Sequence, residues 1–406
     1  MKKIFTGSLL VLFIVIVIVA VTLYFFRDKF SILAQEETVN QSEETLSIKD
    51  PLELRRATIK IDTETVPGST SSMSLGFNNA EQVVFDGNGT NVVWIAENTL
   101  FFVTRSEDGA VTNTQKLAEG KLSLPAVTRD GNLVGVGWVE RTSQVESVKT
   151  IISTDGGLTW GNTVTLGSGS GISLAASENT IVGVWFEGKQ DASSKIMMRL
   201  FADDQWSEAS RVDQSTKNPL WPSVDIRGND LFVTWRDNRE GVVPYSIWLR
   251  RSSDLGTTWQ NEQHLVTKLS GDPDVCVSKD RVWLAHHGSQ KITLLESQDQ
   301  GETFTSRGQI GSGFFAHLSC TDTTVAVAWE HSTNGAKSDD KKVGWAIFTS
   351  NGEELGTGLI DDGRSAATTI YVSHDSRWAE ILWLKKEAED PLKGTLRHQI
   401  LSLESL

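Results

Sequence analysis

Apolar and polar residues alternate along most of the chain in short runs, which are separated by turns containing Gly, Asn or Asp. An apolar strand ending in tryptophan returns at intervals of 44 to 54 residues, at Trp94, Trp138, Trp185, Trp235, Trp283, Trp329 and Trp383. Each copy follows an alternating strand, such as 222–228, and precedes a third strand, such as 245–252, a tight turn and a fourth strand. This repeat predicts an all-β fold, a seven-bladed β-propeller, with six blades as the alternative.

The turn after the third strand has the pattern S-x-D-x-G-x-T-aromatic in three of the repeats. The residues are Ser153, Asp155, Gly157, Thr159 and Trp160; Ser252, Asp254, Gly256, Thr258 and Trp259; and Ser297, Asp299, Gly301, Thr303 and Phe304. Ser and Asp side chains bond to the amides of such turns, and Gly allows positive φ. We therefore expect a structural role for these turns rather than a ligand site.

These turns resemble Asp boxes, and about residues 77–402 resemble the Asp-box (BNR-repeat) propellers of the sialidase-like superfamily. The resemblance implies a β-propeller. It also implies what a catalytic member contains: a tyrosine nucleophile with a neighbouring glutamate, an aspartate acid/base and three arginines that grip the substrate carboxylate. Sialidases of this family have six blades, whereas the repeat predicts seven.

The catalytic pattern is incomplete in this sequence. The R-I-P motif of the first family arginine is absent, and Arg105 adjoins a degenerate box on the opposite face. Only Tyr371 matches the nucleophile by position, whereas no motif assigns the other catalytic candidates, which are Arg129, Arg227, Arg239 and Asp237. We expect a non-catalytic binding or scaffold module for a cell-surface glycan or protein. The alternative is a glycoside hydrolase, an exo-α-sialidase-like enzyme.

Loops on the face opposite the boxes form the expected ligand-binding surface of a propeller. The predicted residues are Glu140, Arg141, Glu187, Trp221, Arg236, Asp237, Arg239, His286, His287, Phe314, Phe315 and Glu330. Further loop residues of this face are Asn78, Asn79, Asp272, Asp274, His331 and Arg364. Aromatic rings beside carboxylates and arginines suit a sugar or a peptide. The alternative is a set of loop ion pairs on a solvated rim.

The two cysteines, Cys276 and Cys320, are 44 residues apart, which is also the offset between the two repeats that contain them. They therefore occupy equivalent positions on neighbouring innermost strands. A disulfide and a pair of buried free thiols both fit this placement.

The residue pattern of the N-terminal region predicts a membrane anchor. Residues 9–26 form an uncharged apolar run after Lys2 and Lys3, which favours a signal anchor with an extracytoplasmic body; a cleaved signal is the alternative. We predict the cytoplasmic start and transmembrane helix at 1–30, an acidic stalk at 31–55 and the propeller at 56–406, with strand 57–66 completing the last blade.

Composition narrows the function further. The net charge of −14 argues against nucleic acid as a partner. The chain has 14 Trp and only 3 Tyr, so a tyrosine-dependent mechanism has few candidate residues. The histidines lack metal-ligand spacing, and we predict no metal and no cofactor.

Overall fold

The computed structural model describes residues 81–403, and all of their regular structure is β-strand. Within this span, the description leaves out residues 86, 88, 107–110, 144, 189–192, 240–244, 268–269, 336–340, 362–363 and 387–393. The predicted anchor, the stalk, strand 57–66, Asn78 and Asn79 lie outside the described residues. No helix in the described part of the chain has the length and hydropathy to cross a bilayer.

The strands form successive antiparallel meanders. The first sheet contains β1 (Val83–Phe85), β2 (Gly89–Ala96), β3 (Thr99–Ser106) and β4 (Val111–Glu119). The second contains β5 (Leu122–Asp130), β6 (Leu133–Arg141), β7 (Glu146–Ser153) and β8 (Val164–Ser168). The third contains β9 (Ser170–Ser177), β10 (Thr180–Gly188) and β11 (Ser194–Ala202), with β12 (Gln205–Trp206) and β13 (Ser210–Arg211) both paired to β11.

The remaining strands form three sheets. The fourth sheet contains β14 (Leu220–Arg227), β15 (Asp230–Asp237), β16 (Ser246–Ser252) and β17 (Gln263–Val266). The fifth contains β18 (Ser270–Val277), β19 (Val282–Gly288), β20 (Lys291–Ser297), β21 (Thr305–Cys320), β22 (Thr324–His331), β23 (Lys342–Thr349) and β24 (Glu354–Ile360). The sixth contains β25 (Ser365–Val372), β26 (Trp378–Lys386) and β27 (Gly394–Ser402).

The prediction of an all-β propeller is confirmed, but the predicted number of blades is wrong. Among the described strands, five sheets have the four or more strands of a full blade and one has only three, which gives five blades rather than seven or six. The main physical reason is β21, which pairs with β20 through its first half and with β22 through its second half. This continuous strand joins two sequence repeats in one seven-stranded sheet.

The core lies between the faces of neighbouring sheets, and the repeated tryptophans fill much of it. Trp138, Trp185, Trp235, Trp283 and Trp383 are among the largest fully buried side chains. Glycines make room for some of these rings: a Cβ at Gly344 would lie 2.2 Å from Trp329, and one at Gly167 would lie 2.8 Å from Trp185. Each such glycine is therefore a packing requirement of its tryptophan.

Side chains bridge neighbouring innermost strands at the edges that face the central channel, where no further strand of the described residues pairs with them. The Leu318 amide donates to Asp274 Oδ2 (2.8 Å), and the Val372 amide donates to Ser319 Oγ (3.1 Å). Cys276 of β18 and Cys320 of β21 form a disulfide with a Cα–Cα distance of 6.0 Å. These links join neighbouring sheets around the channel.

The first and last sheets also pack directly on each other. The rings of Phe85 and Trp378 meet edge to face at 5.1 Å, and Trp94 shares a buried cluster with Leu382 and Leu384. Within the described residues, side chains therefore connect the two ends of the ring.

Candidate functional site

The propeller has two different faces. The S-x-D turns adjoin the turns that follow the innermost strands: the Gly156 amide donates to Asn132 O (2.8 Å), and the Leu255 amide donates to Asn229 O (3.1 Å). We call this side the turn face. The opposite side, where innermost strands begin and second strands end, is called the loop face.

The three S-x-D turns use their polar groups internally. In the first, Ser153 Oγ donates to Asp155 Oδ1 (2.7 Å), and the Thr159 amide also donates to Asp155 Oδ1 (2.8 Å). Hydrogen bonds from Thr159 are the main reason that the pKa of Asp155 falls to about 2. The same bonds recur around Asp254 and Asp299. The bonding agrees with a structural role for these turns.

The glycine of each S-x-D turn lies against the preceding sheet. A Cβ at Gly157 or at Gly301 would lie 2.7 Å from Phe102 or Phe232, respectively. Trp160 packs edge to face on Phe102 at 4.9 Å. The turns therefore connect adjacent sheets.

A β-bulge recurs where the innermost strands begin on the loop face. At the bulge one residue has positive φ, and these residues are Leu124, Gly171, Trp221, Asp272, Phe315 and Ala367. Most are not glycine, although positive φ is unfavourable for other residues. The bulge brings Trp221, Asp272 and Phe315 to equivalent positions in successive repeats.

Trp221 and Asp272 both contact Arg236, which lies near the end of β15, the second strand of the fourth sheet. Arg236 Nη1 lies 2.8 Å from Asp272 Oδ1, with side-chain exposures of 20% and 5%. The guanidinium lies over the rings of Tyr245 (4.7 Å) and Trp221 (5.9 Å). Trp221 in turn packs edge to face on Phe186 of the third sheet at 5.4 Å.

His287 continues this contact network toward the next repeat. Its ring packs against Phe314 and Phe315, each at 5.5 Å, and its Nδ1 accepts the Phe315 amide (3.3 Å). Burial lowers the pKa of His287; the charge of Asp272 opposes this effect and that of Arg236 adds to it. The ring is therefore neutral at pH 7 and carries its proton on Nε2.

Glu330 and Lys341 complete the network. They form a buried ion pair, and Glu330 Oε1 accepts a hydrogen bond from the amide of Ala367 (2.7 Å) in β25, the first strand of the last sheet. Lys341 Nζ lies 5.9 Å from the ring of Phe315. We call the connected set from Phe186 to Ala367 the loop-face arc, whose members are Phe186, Trp221, Arg236, Tyr245, Asp272, His287, Phe314, Phe315, Glu330, Lys341 and Ala367.

Two predicted binding residues form a separate cluster in the fourth sheet. Arg239 bridges buried Asp237 (2.7 Å) and Glu262, and its guanidinium lies 3.9 Å from the Trp248 ring. Ion pairs to both carboxylates raise the pKa of Arg239, although burial acts in the opposite direction. Asp237 and Arg239 form an ion pair, as in the alternative interpretation of the sequence, but the pair is buried rather than on a solvated rim.

The other predicted loop-face residues lie outside the arc. Arg141 pairs with Glu146, and Glu140 lies 3.5 Å from Lys149. Glu187 of the third sheet accepts a hydrogen bond from Ser168 Oγ of the second sheet (3.1 Å).

His286 is buried and lies 3.2 Å from Ser270 Oγ. Burial lowers its pKa to about 4. His286 therefore belongs to the core rather than to the surface that its neighbour His287 lines.

The arginines proposed as a carboxylate grip are separated. Arg227 bonds to Asp322 (2.6 and 3.1 Å) on the turn face, and Arg129 bonds to Asn91 (2.5 Å) and to Gly156 O (3.4 Å). Arg239 lies in its own cluster on the loop face, so the three guanidinium groups do not converge.

Tyr371 faces a central channel with a volume of about 600 Å³, lined by the second halves of the innermost strands. Burial raises its pKa, and the charge of Glu81 adds to this effect, so the hydroxyl is protonated at neutral pH. Asp225 and Asp274 also line the channel. Burial, aided by the charges of these two aspartates, raises the pKa of Glu81 well above its usual value.

Lys341 is a functional candidate that sequence reasoning missed. It is flanked by polar residues without periodicity, and only its contact with Glu330 identifies it. Asp272 was among the predicted loop-face residues. A local pattern supports that placement, because Leu124, Trp221 and Asp272 all directly precede a proline at the start of an innermost strand. Among the described residues, no group of three or more His, Cys, Asp or Glu is arranged to hold a metal ion.

No protein-family model matches the chain, and no curated protein sequence matches it. A Trypanosoma rangeli sialidase in complex with the inhibitor DANA matches 73% of the chain, with 12% identity and a TM-score of 0.51. The chain covers 57% of that protein. A polysaccharide lyase, an ulvan lyase bound to a GlcA(1-4)Rha3S segment, matches 82% of the chain, with 8% identity and a TM-score of 0.55. The chain covers 95% of that lyase.

The fold is that of a sialidase-like β-propeller. At identities of 8 to 12% these matches establish the fold alone. The function has to be argued from the residues of this chain.

Proposed function

We propose that this protein is a glycan-binding propeller that is anchored to the membrane and lies outside the cytoplasm, and that the loop-face arc is its binding surface. The supporting observation is the continuity of the arc across the third, fourth, fifth and sixth sheets. Half-buried aromatic rings alternate in it with polar groups, from Trp221 through Arg236 and His287 to Phe315. Rings stack on the apolar faces of sugars, while charged groups hydrogen-bond their hydroxyls.

The anchor and the domain organisation are part of this proposal. The apolar run at 9–26 would hold the protein in the cytoplasmic membrane, the stalk at 31–55 would separate it from the propeller at 56–406, and the body would face outward. Fusion of a reporter enzyme that is active only outside the cytoplasm to the C-terminus tests the orientation. An inactive fusion of normal abundance would contradict it.

The arc favours binding over catalysis. Its carboxylates, Asp272 and Glu330, are each paired with a cation, and Glu330 also accepts a backbone amide. A general acid needs a carboxyl that keeps its proton near neutral pH, and a base needs access to substrate or water. Paired, buried carboxylates are better suited to positioning than to proton transfer.

Glycan binding is tested with the full-length chain on an array of bacterial and host surface glycans. Trp221→Ala should abolish retention, because the largest ring of the arc is lost, and Trp221→Phe should restore part of it. The control is Trp259→Ala, which removes a ring from a turn on the opposite face. Retention unaffected by Trp221→Ala, or lost equally in a folded Trp259→Ala variant, would contradict the arc as the binding surface.

A second candidate function is glycoside hydrolysis of the sialidase type, and the proximity of Glu81 to Tyr371 in the channel favours it. A catalytic pair would have to activate the tyrosine hydroxyl, whereas burial raises the pKa of Tyr371. We expect no turnover of a fluorogenic sialoside. Turnover that disappears in Tyr371→Phe would replace the binding proposal with the enzymatic one.

A further inference from the structure

The cations of the loop-face arc are each matched by a carboxylate. Arg236 pairs with Asp272, and Lys341 pairs with Glu330. The adjacent Arg239 is matched by both Asp237 and Glu262. The arc therefore has no excess positive charge of the kind that a carboxylate or sulfate ligand requires.

His287 adds no positive charge to the arc. Burial lowers the pKa of His287, so the imidazole does not supply a cation at pH 7. Its ring lies between Phe314 and Phe315 and above Gly271, where a Cβ would lie 2.5 Å from His287 Nε2. Close packing on three sides holds the ring in place.

The paired charges are poorly available to an anionic ligand. Asp272 and Lys341 are almost fully buried, and Arg236 is enclosed by Trp221 and Tyr245. An incoming carboxylate would have to compete with Asp272 for the guanidinium and would lie close to that buried charge. Like charges at such a distance disfavour binding.

We propose that the loop-face arc binds uncharged saccharides and discriminates against acidic ones such as sialosides and uronates. This inference rests on the proposed glycan-binding function and assigns its ligand class. The ring faces contact the sugar, and the partly exposed guanidinium of Arg236, its charge compensated by Asp272, donates hydrogen bonds to neutral hydroxyl groups.

The test uses matched sugars with the full-length protein: lactose against 3′-sialyllactose, and chitotetraose against a hyaluronan tetrasaccharide. We expect the neutral member of at least one pair to bind about tenfold more tightly or better, which corresponds to one opposed charge. We also expect its affinity to be nearly independent of ionic strength. Tighter binding of the acidic members would overturn this inference and leave the glycan-binding function intact. Binding of neither member, together with an unreactive glycan array, would remove the proposed function itself.

Variants that remove a carboxylate of the arc test whether charge compensation causes the preference for neutral sugars. Asp272→Asn removes the compensating carboxylate from Arg236, so affinity for the acidic member should rise about tenfold relative to the neutral one. Glu330→Gln should act in the same direction through Lys341 and serves if the first variant does not fold. The matched control is Asp322→Asn, which frees Arg227 on the turn face and should change neither affinity. An unchanged preference in both folded arc variants would overturn the charge argument.

Discussion

Arg105 and Glu380 form a buried ion pair, 2.8 Å between Nη2 and Oε1, that joins the first sheet of the ring to the last. His398 lies beside both, with its Nδ1 2.8 Å from Glu380 Oε1. Burial alone would raise the pKa of Glu380, but the charge of Arg105 and the hydrogen bond from His398 outweigh it and lower the pKa. From the sequence we expected Arg105 beside a degenerate box on the face opposite the ligand-binding loops, whereas in the structure it lies in the contact between the two ends of the ring.

Glu380→Gln should destabilise the propeller by about 3 kcal/mol or more, because it leaves Arg105 buried beside a neutral group. Urea denaturation followed by tryptophan fluorescence measures the change. The control is Glu119→Gln, which breaks the exposed pair of Lys116 and Glu119 at 3.9 Å and should cost less than about 1 kcal/mol. Equal losses in the two variants would show that the buried pair does not stabilise the ring closure.

Asp225 should make the stability depend on pH. Burial raises its pKa to about 7, and the nearby charge of Asp274 contributes, although the Val277 and Ile226 amides donate hydrogen bonds to the carboxylate. The folded state therefore holds this proton more tightly than the unfolded state. Stability from this group is complete below the unfolded pKa of about 3.9 and is lost as pH rises through about 7.

The measurement is the melting temperature from about pH 4 to about pH 8, a window that spans the unfolded pKa of about 3.9 and the folded pKa of about 7. The wild-type melting temperature should fall across it, and Asp225→Asn should remove part of the fall, at most about 4 kcal/mol. The asparagine side chain of this variant keeps an oxygen that can accept a hydrogen bond from the Val277 amide. Asp204→Asn, at an exposed turn, is the control. If the pH profile of Asp225→Asn matches that of the wild type, Asp225 does not titrate in this range.

Removal of the disulfide should lower stability by about 2 to 4 kcal/mol, because the bond closes a loop between residues 44 positions apart. The double variant Cys276→Ser, Cys320→Ser is compared with the wild type by urea denaturation, each with and without dithiothreitol. The reductant should lower the wild-type midpoint to that of the variant and leave the variant unchanged. A wild-type midpoint unaffected by full reduction would contradict this expectation.

Gly344→Ala should destabilise the fifth sheet by about 1 to 3 kcal/mol, because the added Cβ would lie 2.2 Å from the Trp329 ring. Gly161→Ala is the control, since its Cβ would meet nothing closer than 3.4 Å. Adding Trp329→Phe to the Gly344→Ala variant should relieve the clash and recover part of the loss. If both alanine variants melt at the same temperature, the ring moves aside without cost.

Features that depend on neighbours along the chain could be predicted from the sequence. Strand alternation, the tryptophan repeat and the S-x-D turns are local patterns, because side-chain direction in a strand and hydrogen bonding in a turn involve residues a few positions apart. The predicted β-propeller follows from these patterns. The equal offsets of Cys276 and Cys320 also placed both residues on neighbouring innermost strands, where the structure has their disulfide.

The sequence by itself determined the strands, the turns and the repeat, whereas only the tertiary structure decided which charges compensate each other. Arg236 pairs with Asp272, Arg227 with Asp322 and Arg105 with Glu380, over separations of 36 to 275 residues. The number of sheets was decided in the same way, because β21 stays hydrogen-bonded along its whole length instead of ending between two repeats. Such pairings depend on how the sheets are arranged around the channel, and no local pattern encodes that arrangement.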